Sequence, residues 1–192
     1  MTETGTRNSV IALGTFDGMH PGHQAVIDTT VEYAKKNGLK SLVFTFTNIP
    51  RSIFSKAPVP IMTSGERENA IRARGVDDVI MTQFSEAFSR MSPEAFVEMI
   101  VTEHHPAALV SGEDYTFGYK ASGNTDMLKR FGREMGFEVI TVKTLRLLND
   151  DGTEGEKISS TGIRRAIQEN RPELIESYMH GKNTSCRGGR NP

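Results

Sequence analysis

Apolar residues fall along this chain in short blocks separated by polar, helix-patterned stretches. The runs SVIAL (9–13), SLVFTF (41–46), DDVIMT (77–82), AALVSG (107–112) and FEVITV (137–142) are short, rich in β-branched and apolar residues, and predict strands buried on both faces. Between them the period changes. In HQAVIDTTVEYAKKNG (23–38), Ala25, Val26, Thr29 and Tyr33 share one helical face and Gly38 stops the helix. Thr63 and Glu66 have capping-box spacing, so a helix is expected through Arg74. Ser92 followed by Pro93 opens another, and Pro106 breaks it. A helix over Ser122–Met135 ends at Gly136, and residues 159–170 and 171–179 predict two more short helices. Ile49–Ile61 holds three prolines and is expected to be a loop. TLRLL (144–148), with the residues after NDDG, fits either a hairpin arm or a loop. Strand and helix therefore alternate. The fold class this predicts is α/β, a doubly wound parallel sheet with helices on both faces, formed as a single domain.

Composition narrows the partners. The chain has 192 residues and a net charge of -1, so it lacks the basic excess of a nucleic-acid binder. No apolar run reaches the ~18 residues of a membrane helix, and MTETGTRNS at the start lacks the apolar segment of a secretory signal. Cys186 is the single cysteine, which excludes an intramolecular disulfide. A cytoplasmic protein without nucleic-acid or membrane partners is expected. The domain is expected to span 1–182, with the polar, glycine-rich 183–192 as a disordered tail.

Candidate chemistry concentrates in GTFDGMHPGHQ (14–24), directly after the first strand, with two of the five histidines three residues apart. In doubly wound sheets ligands sit at such strand ends. A zinc site needs further ligands; Cys186 lies in the tail, Glu103–His105 lie far along the chain, and there is no H-E-x-x-H motif. A phosphohistidine has no supporting context. A phosphate cradle fits best: Gly14, Gly18 and Gly22 permit close backbone approach, and the next helix offers free N–H groups at a positive dipole end. Histidines there would donate hydrogen bonds to a transferring group. By themselves the two histidines fit better as capping or packing residues of the turn. Ile158–Arg164, ISSTGIR, sits at another helix start, where Ser160, Thr161 and Arg164 could hold phosphate oxygens, Arg164 as a fork; alone, the Ser-Ser-Thr is a helix cap.

Together, G-x-F-D-x-x-H-x-G-H and I-S-S-T-x-x-R resemble the signatures of the nucleotidylyltransferase superfamily, whose sheet is Rossmann-like. LVFTF with PRSIF, FSEAF…SPEAFV, LVSGEDYTFGYKASGN and ISSTGIRRAI are similar to the FMN adenylyltransferase module of prokaryotic bifunctional riboflavin kinase/FMN adenylyltransferases. The likeness covers about Ser9 to Met179. It implies ATP and FMN as substrates, FAD and pyrophosphate as products, and Mg²⁺ held mainly by phosphates. It implies that His20, His23 and Arg164 are catalytic and that Gly14, Thr15, Phe16, Gly22, Asp114, Ser160 and Thr161 bind the nucleotide, Asp114 also lying near the metal. Phe46, Pro50, Arg51, Tyr115, Phe117 and Lys120 are implied on the flavin side; Phe46 on a buried strand fits the core better, and Lys120 fits a solvated loop equally well. Where the family has D-P-H-P-R, this chain has TNIPR (47–51), with Thr47 and Ile49 replacing an acid and a histidine. No kinase-like segment follows Met179, so a separate riboflavin kinase is the expected partner, the chain being either a stand-alone adenylyltransferase or a cut copy of a two-domain protein. The open alternatives are a nucleotidylyltransferase with another phosphorylated acceptor and a nucleotide- or flavin-binding regulator without turnover.

Overall fold

Strand β1 (Ser9–Leu13) is buried at every residue, because it lies in the middle of a parallel sheet covered on both sides. A computed structural model describes residues 7–50, 58–149 and 151–180. The sheet joins β1 to β2 (Lys40–Phe46), β3 (Asp78–Thr82), β4 (Pro106–Gly112) and β7 (Glu138–Val142) in the order β3-β2-β1-β4-β7. All four pairings are parallel. Alternate β1 residues serve opposite layers. Val10 and Ala12 pack with Val26, Ile27 and Val31 of α1 (Pro21–Asn37) and Ile71 of α2 (Ser64–Arg72). Ile11 and Leu13 face Phe96, Val97 and Ile100 of α4 (Pro93–His104), and Leu128 and Phe131 of α5 (Thr125–Met135). The chain winds from β1 towards β3, then returns past β1 to β4. The strand order therefore reverses between β1 and β4, and a crevice at that point lies beside the turn leaving β1.

Capping chemistry sets the helix limits. Thr63 and Glu66 form the expected box, with Glu66 N–H donating to Thr63 Oγ1 at 3.2 Å and Thr63 N–H to Glu66 Oε2 at 2.8 Å. Ser92 Oγ accepts from Ala95 N–H. Helix α1 begins at Pro21, two residues before the expected start, because His20 is its N-cap and Pro21 suits the first helical position. Helix α5 begins at Thr125, not Ser122. Gly123–Asn124 (β6) pairs with Thr116–Phe117 (β5), and Asn124 caps the helix. Pro106 is the first residue of β4; α4 stops one residue earlier, at His105 in the left-handed conformation. A one-turn helix, α3 (Glu86–Ser89), lies where no periodic signal marked one.

The ambiguous arm after residue 144 is an antiparallel hairpin, β8 (Arg146–Leu148) with β9 (Glu154–Lys157). Helices α6 (Ser160–Gln168) and α7 (Pro172–His180) follow. Their residues Ile163, Ala166 and Tyr178, with Ile158 just before α6, form a third, smaller core against Ile61, Leu145 and Leu147. Of the proline-rich loop, residues 51–57 lie outside the described residues, as does the expected tail.

Candidate active site

The turn after β1 is held in an unusual backbone shape by its own side chains. Phe16, Gly18 and Met19 all take positive φ, at 54°, 85° and 41°. A phenylalanine there is costly, and its burial compensates: the ring is 1% exposed, within the first core. Gly14 makes this fit, since a Cβ on it would lie 2.8 Å from the Phe16 ring. Thr45 Oγ1 donates to the Thr15 carbonyl at 3.0 Å and ties the turn to β2. Phe16 thus leaves no open ring face for a ligand.

His20 and His23 stand at the start of α1 with their rings stacked, centroids 3.7 Å apart and 22° between planes. His20 Nδ1 accepts from His23 N–H at 3.4 Å, an acceptor role that puts the proton of the neutral ring on Nε2. Gly22 leaves room for the ring; a Cβ would meet its Cε1 and Nδ1 at 3.2 Å. Phe16 packs edge-on against His23. Burial lowers the His20 pKa to about 4, with help from the Lys157 charge. Burial drives His23 well below its usual value as well, assisted by His20, Arg164 and Lys157. Both rings are neutral near pH 7, so each carries one N–H donor. His23 Nδ1 is buried with no hydrogen-bond partner, as expected of a group held for a ligand.

Asp17, part of the G-x-F-D motif but without a role expected from it, joins this turn to the second motif. Its side chain is 1% exposed. Its carboxylate accepts from Ile61 N–H at 3.1 Å and from Met62 N–H at 3.1 Å, and it forms an ion pair with Arg164. Its carbonyl accepts from Ser160 Oγ at 2.6 Å. A buried carboxylate needs such partners, and here they set α6 against the turn. Ser159, not Ser160, caps α6, accepting from Gly162 N–H at 3.1 Å. Thr161 is exposed in the first turn of the helix. Arg164 also donates from Nε to the Val59 carbonyl at 2.9 Å, so two of its three nitrogens serve the protein. The fork expected to grip phosphate grips Asp17 and Val59.

On the far side of the crevice Asp114 follows β4 and pairs with Lys157 at the end of β9. Lys157, which no motif singles out, directly precedes ISST, and its place before that motif is its one signal in the sequence. Among the described residues no group of three or more His, Cys, Asp or Glu side chains could hold a metal. Asp114 is a hard oxygen donor at the site's edge. One carboxylate with substrate phosphates suits Mg²⁺, which keeps most of its waters.

The residues implied on the flavin side separate. Phe46 packs edge-on against Phe84 and Phe88, at 5.1 and 5.3 Å, within the second core. Phe117 is 6% exposed, and Tyr115 stacks on it at 5.7 Å, with burial raising the Tyr115 pKa. These three rings pack against the core under α4 and α5, Phe117 buried and Phe46 and Tyr115 partly so. Lys120 is exposed, its ammonium over the Tyr119 ring. Pro50 is half-buried, and Arg51 lies outside the described residues. A cleft of about 290 Å³ opens instead at the carboxyl end of β2, lined by Thr47, Asn48, Ile49, Ile61, Met62 and Arg67 among others. Ile61 and Met62 are the residues whose N–H groups hold Asp17, so this cleft adjoins the histidine turn.

A family model described as FAD synthetase matches residues 2–162. A bifunctional riboflavin kinase/FMN adenylyltransferase of Listeria monocytogenes is 38% identical over 175 residues, 90% of this chain and 54% of that one. Its counterpart in Escherichia coli K12 is 30% identical over 173 residues, 88% of this chain and 53% of that one. A crystal structure described as a macrolide-efflux protein from Streptococcus pneumoniae superposes with a TM-score of 0.75 at 29% identity, over 91% of this chain and 56% of that one. The chain thus spans about half the length of the curated relatives it matches. Among the described residues no helix is long and apolar enough to cross a membrane.

Proposed function

Because the chain belongs to the FAD synthetase family, we propose that it transfers the adenylyl group of ATP to FMN, giving FAD and pyrophosphate. The observation that carries this is the joining of the two motifs. The stacked His20–His23 turn and the first turn of α6 share Asp17, through Ser160 and Arg164. An FMN phosphate oxygen forms a bond to the α-phosphorus of ATP, the bond from that phosphorus to the bridging oxygen breaks, and the electron pair leaves on pyrophosphate. His20 and His23 donate N–H groups to the α-phosphate as it becomes pentavalent. Neutral rings suit this role, because a donor fixed in a dry site strengthens as charge develops. The starts of α1 and α6 present N–H groups to the polyphosphate, and Ser160, Thr161 and Arg164 border its β and γ groups. Mg²⁺ bound to the phosphates, with Asp114 as its nearest protein donor, would neutralise part of their charge. The catalytic unit so read is 1–182.

The cleft beside Thr47 is the candidate flavin site, and it also favours a second reading. Ile49 there is 6% exposed. Asn48 exchanges two hydrogen bonds with the Phe84 backbone, at 2.8 and 3.0 Å. With an isoleucine and a threonine in place of a histidine and an acid, the acceptor could be a different phosphorylated compound.

Incubation with Mg²⁺ and ATP, in parallel with FMN, nicotinamide mononucleotide and glycerol phosphate, separates the readings. FAD and pyrophosphate in equal amounts, from FMN alone, is the expected result. Product from another acceptor selects the second reading. Binding of ATP and FMN without product under any condition would make the chain a regulator.

A further inference from the structure

Helix α6 is gripped at its first turn from two opposite sides. Ser160 and Arg164 face the β1 turn, where Asp17 holds both. Gly162 lies two residues beyond Ser160, about 200° further around a helix of 3.6 residues per turn, and meets α7. The residue it meets is Tyr178, which is 0% exposed. A Cβ on Gly162 would stand 2.7 Å from Tyr178 Cζ, 2.9 Å from its Oη and 3.0 Å from its Cε1. The ring is not free to retreat. Its hydroxyl accepts from Arg165 of α6 at 3.3 Å and shares a hydrogen bond with Glu156 of β9. Glu156 and Arg165 form an ion pair as well. Tyr178 therefore ties α7 to α6 and to the strand before it. The I-S-S-T-x-x-R motif leaves position 162 open, and the matched family model ends there, so neither specifies this contact.

We propose that Tyr178 is a positioning residue for the nucleotide site: its buried ring, seated against Gly162, sets the first turn of α6 relative to the histidine turn and so aims the N–H groups of that turn at the phosphates. A helix held from one side only can pivot about that side, and the ring behind it opposes the pivot. A misplacement of about 1 Å at such a site costs on the order of 100-fold in rate, so a contact behind the helix reads out in function. The inference rests on the reading of α6 as an anion-binding start, not on the identity of the acceptor.

The test compares wild type with Gly162→Ala, Tyr178→Leu, Tyr178→Phe and the double variant Gly162→Ala/Tyr178→Leu. Two measurements are made: calorimetric binding of pyrophosphate alone and steady-state kinetics of FAD formation. By helix propensity alone, alanine at 162 favours α6, so any loss comes from what its methyl group meets. Gly162→Ala is expected to lower kcat/KM for ATP by about 10–100-fold and to weaken pyrophosphate binding by about tenfold. KM for FMN should stay within about threefold. Tyr178→Leu, which frees the helix, should weaken pyrophosphate binding by about fivefold, and adding Gly162→Ala to it should cost nothing more, because the methyl group then has room. Tyr178→Phe keeps the ring and should bind pyrophosphate within about twofold of wild type. A Gly162→Ala variant with unchanged affinity and kinetics overturns the proposal. So does a methyl group that costs as much beside leucine as beside tyrosine, or a phenylalanine variant as impaired as leucine, since the ring would then not be what places α6. Should wild type bind pyrophosphate yet make no FAD, the acceptor reading fails while the binding comparison still judges Tyr178. Should wild type bind no pyrophosphate, the anion-binding reading of α6 falls and the proposal with it.

Discussion

His20 and His23 owe their chemistry to where their rings rest rather than to their spacing. Stacking at the start of α1 and burial beneath the turn keep both uncharged. A transition-state role predicts an asymmetric kinetic effect. His23→Ala should lower kcat by about 10²–10³-fold while ATP affinity, measured by equilibrium binding, falls far less. Equal losses in both would mark a ground-state contact. Burial also links His20 to stability. Its folded pKa of about 4 lies below the ordinary 6.5, so the unfolded chain binds the proton more tightly. This contribution is intact above pH 6.5 and is lost as pH falls towards 4, amounting to about 3 kcal/mol. His20→Asn keeps a good N-cap, so its melting temperature should decline less steeply than that of wild type across this window. Parallel profiles would show that His20 titrates normally. At this scale the sequence was legible where a motif named its residues, and it missed Asp17 and Lys157. Both act through partners more than 40 residues away, which no local pattern reveals.

The elements were the most legible level, because their signals are local. The Thr63–Glu66 box, the Ser92–Pro93 start and the Gly38 stop each satisfy helix-end groups with neighbouring residues, and each stands where the sequence put it. The departures came from pairing across the chain: β5–β6 takes the residues expected to begin α5. Contact between elements at the site depends heavily on Asp17, which holds the segment before α2 and the start of α6 against the β1 turn. Asp17→Asn leaves Arg164 without its counter-charge and should destabilise the protein by about 3 kcal/mol. Hydrogen exchange should show the loss first in α6 and α7, with β1 and β4 still protected. Uniform loss of protection, or none, would contradict a role for Asp17 in joining these parts.

At the scale of the whole molecule, two cores sandwich one parallel sheet, and a third core under α6 and α7 closes one end. The reversal of strand order between β1 and β4 opens the crevice proposed for the nucleotide, and the cleft beside β2 proposed for the acceptor adjoins it. Phe46 and Phe117, implied on the flavin side, pack on the α4–α5 side of the sheet, where burial of aromatic surface is favourable. By itself the sequence determined the α/β class, most element types and the two helix starts proposed for anion binding, since periodicity and capping act over a few residues. Only the tertiary structure decided that those starts meet, that a buried aspartate joins them, that the histidines are neutral and that a hairpin lysine pairs with Asp114. Distances, burial and charge pairing between remote segments exist only once the chain has folded.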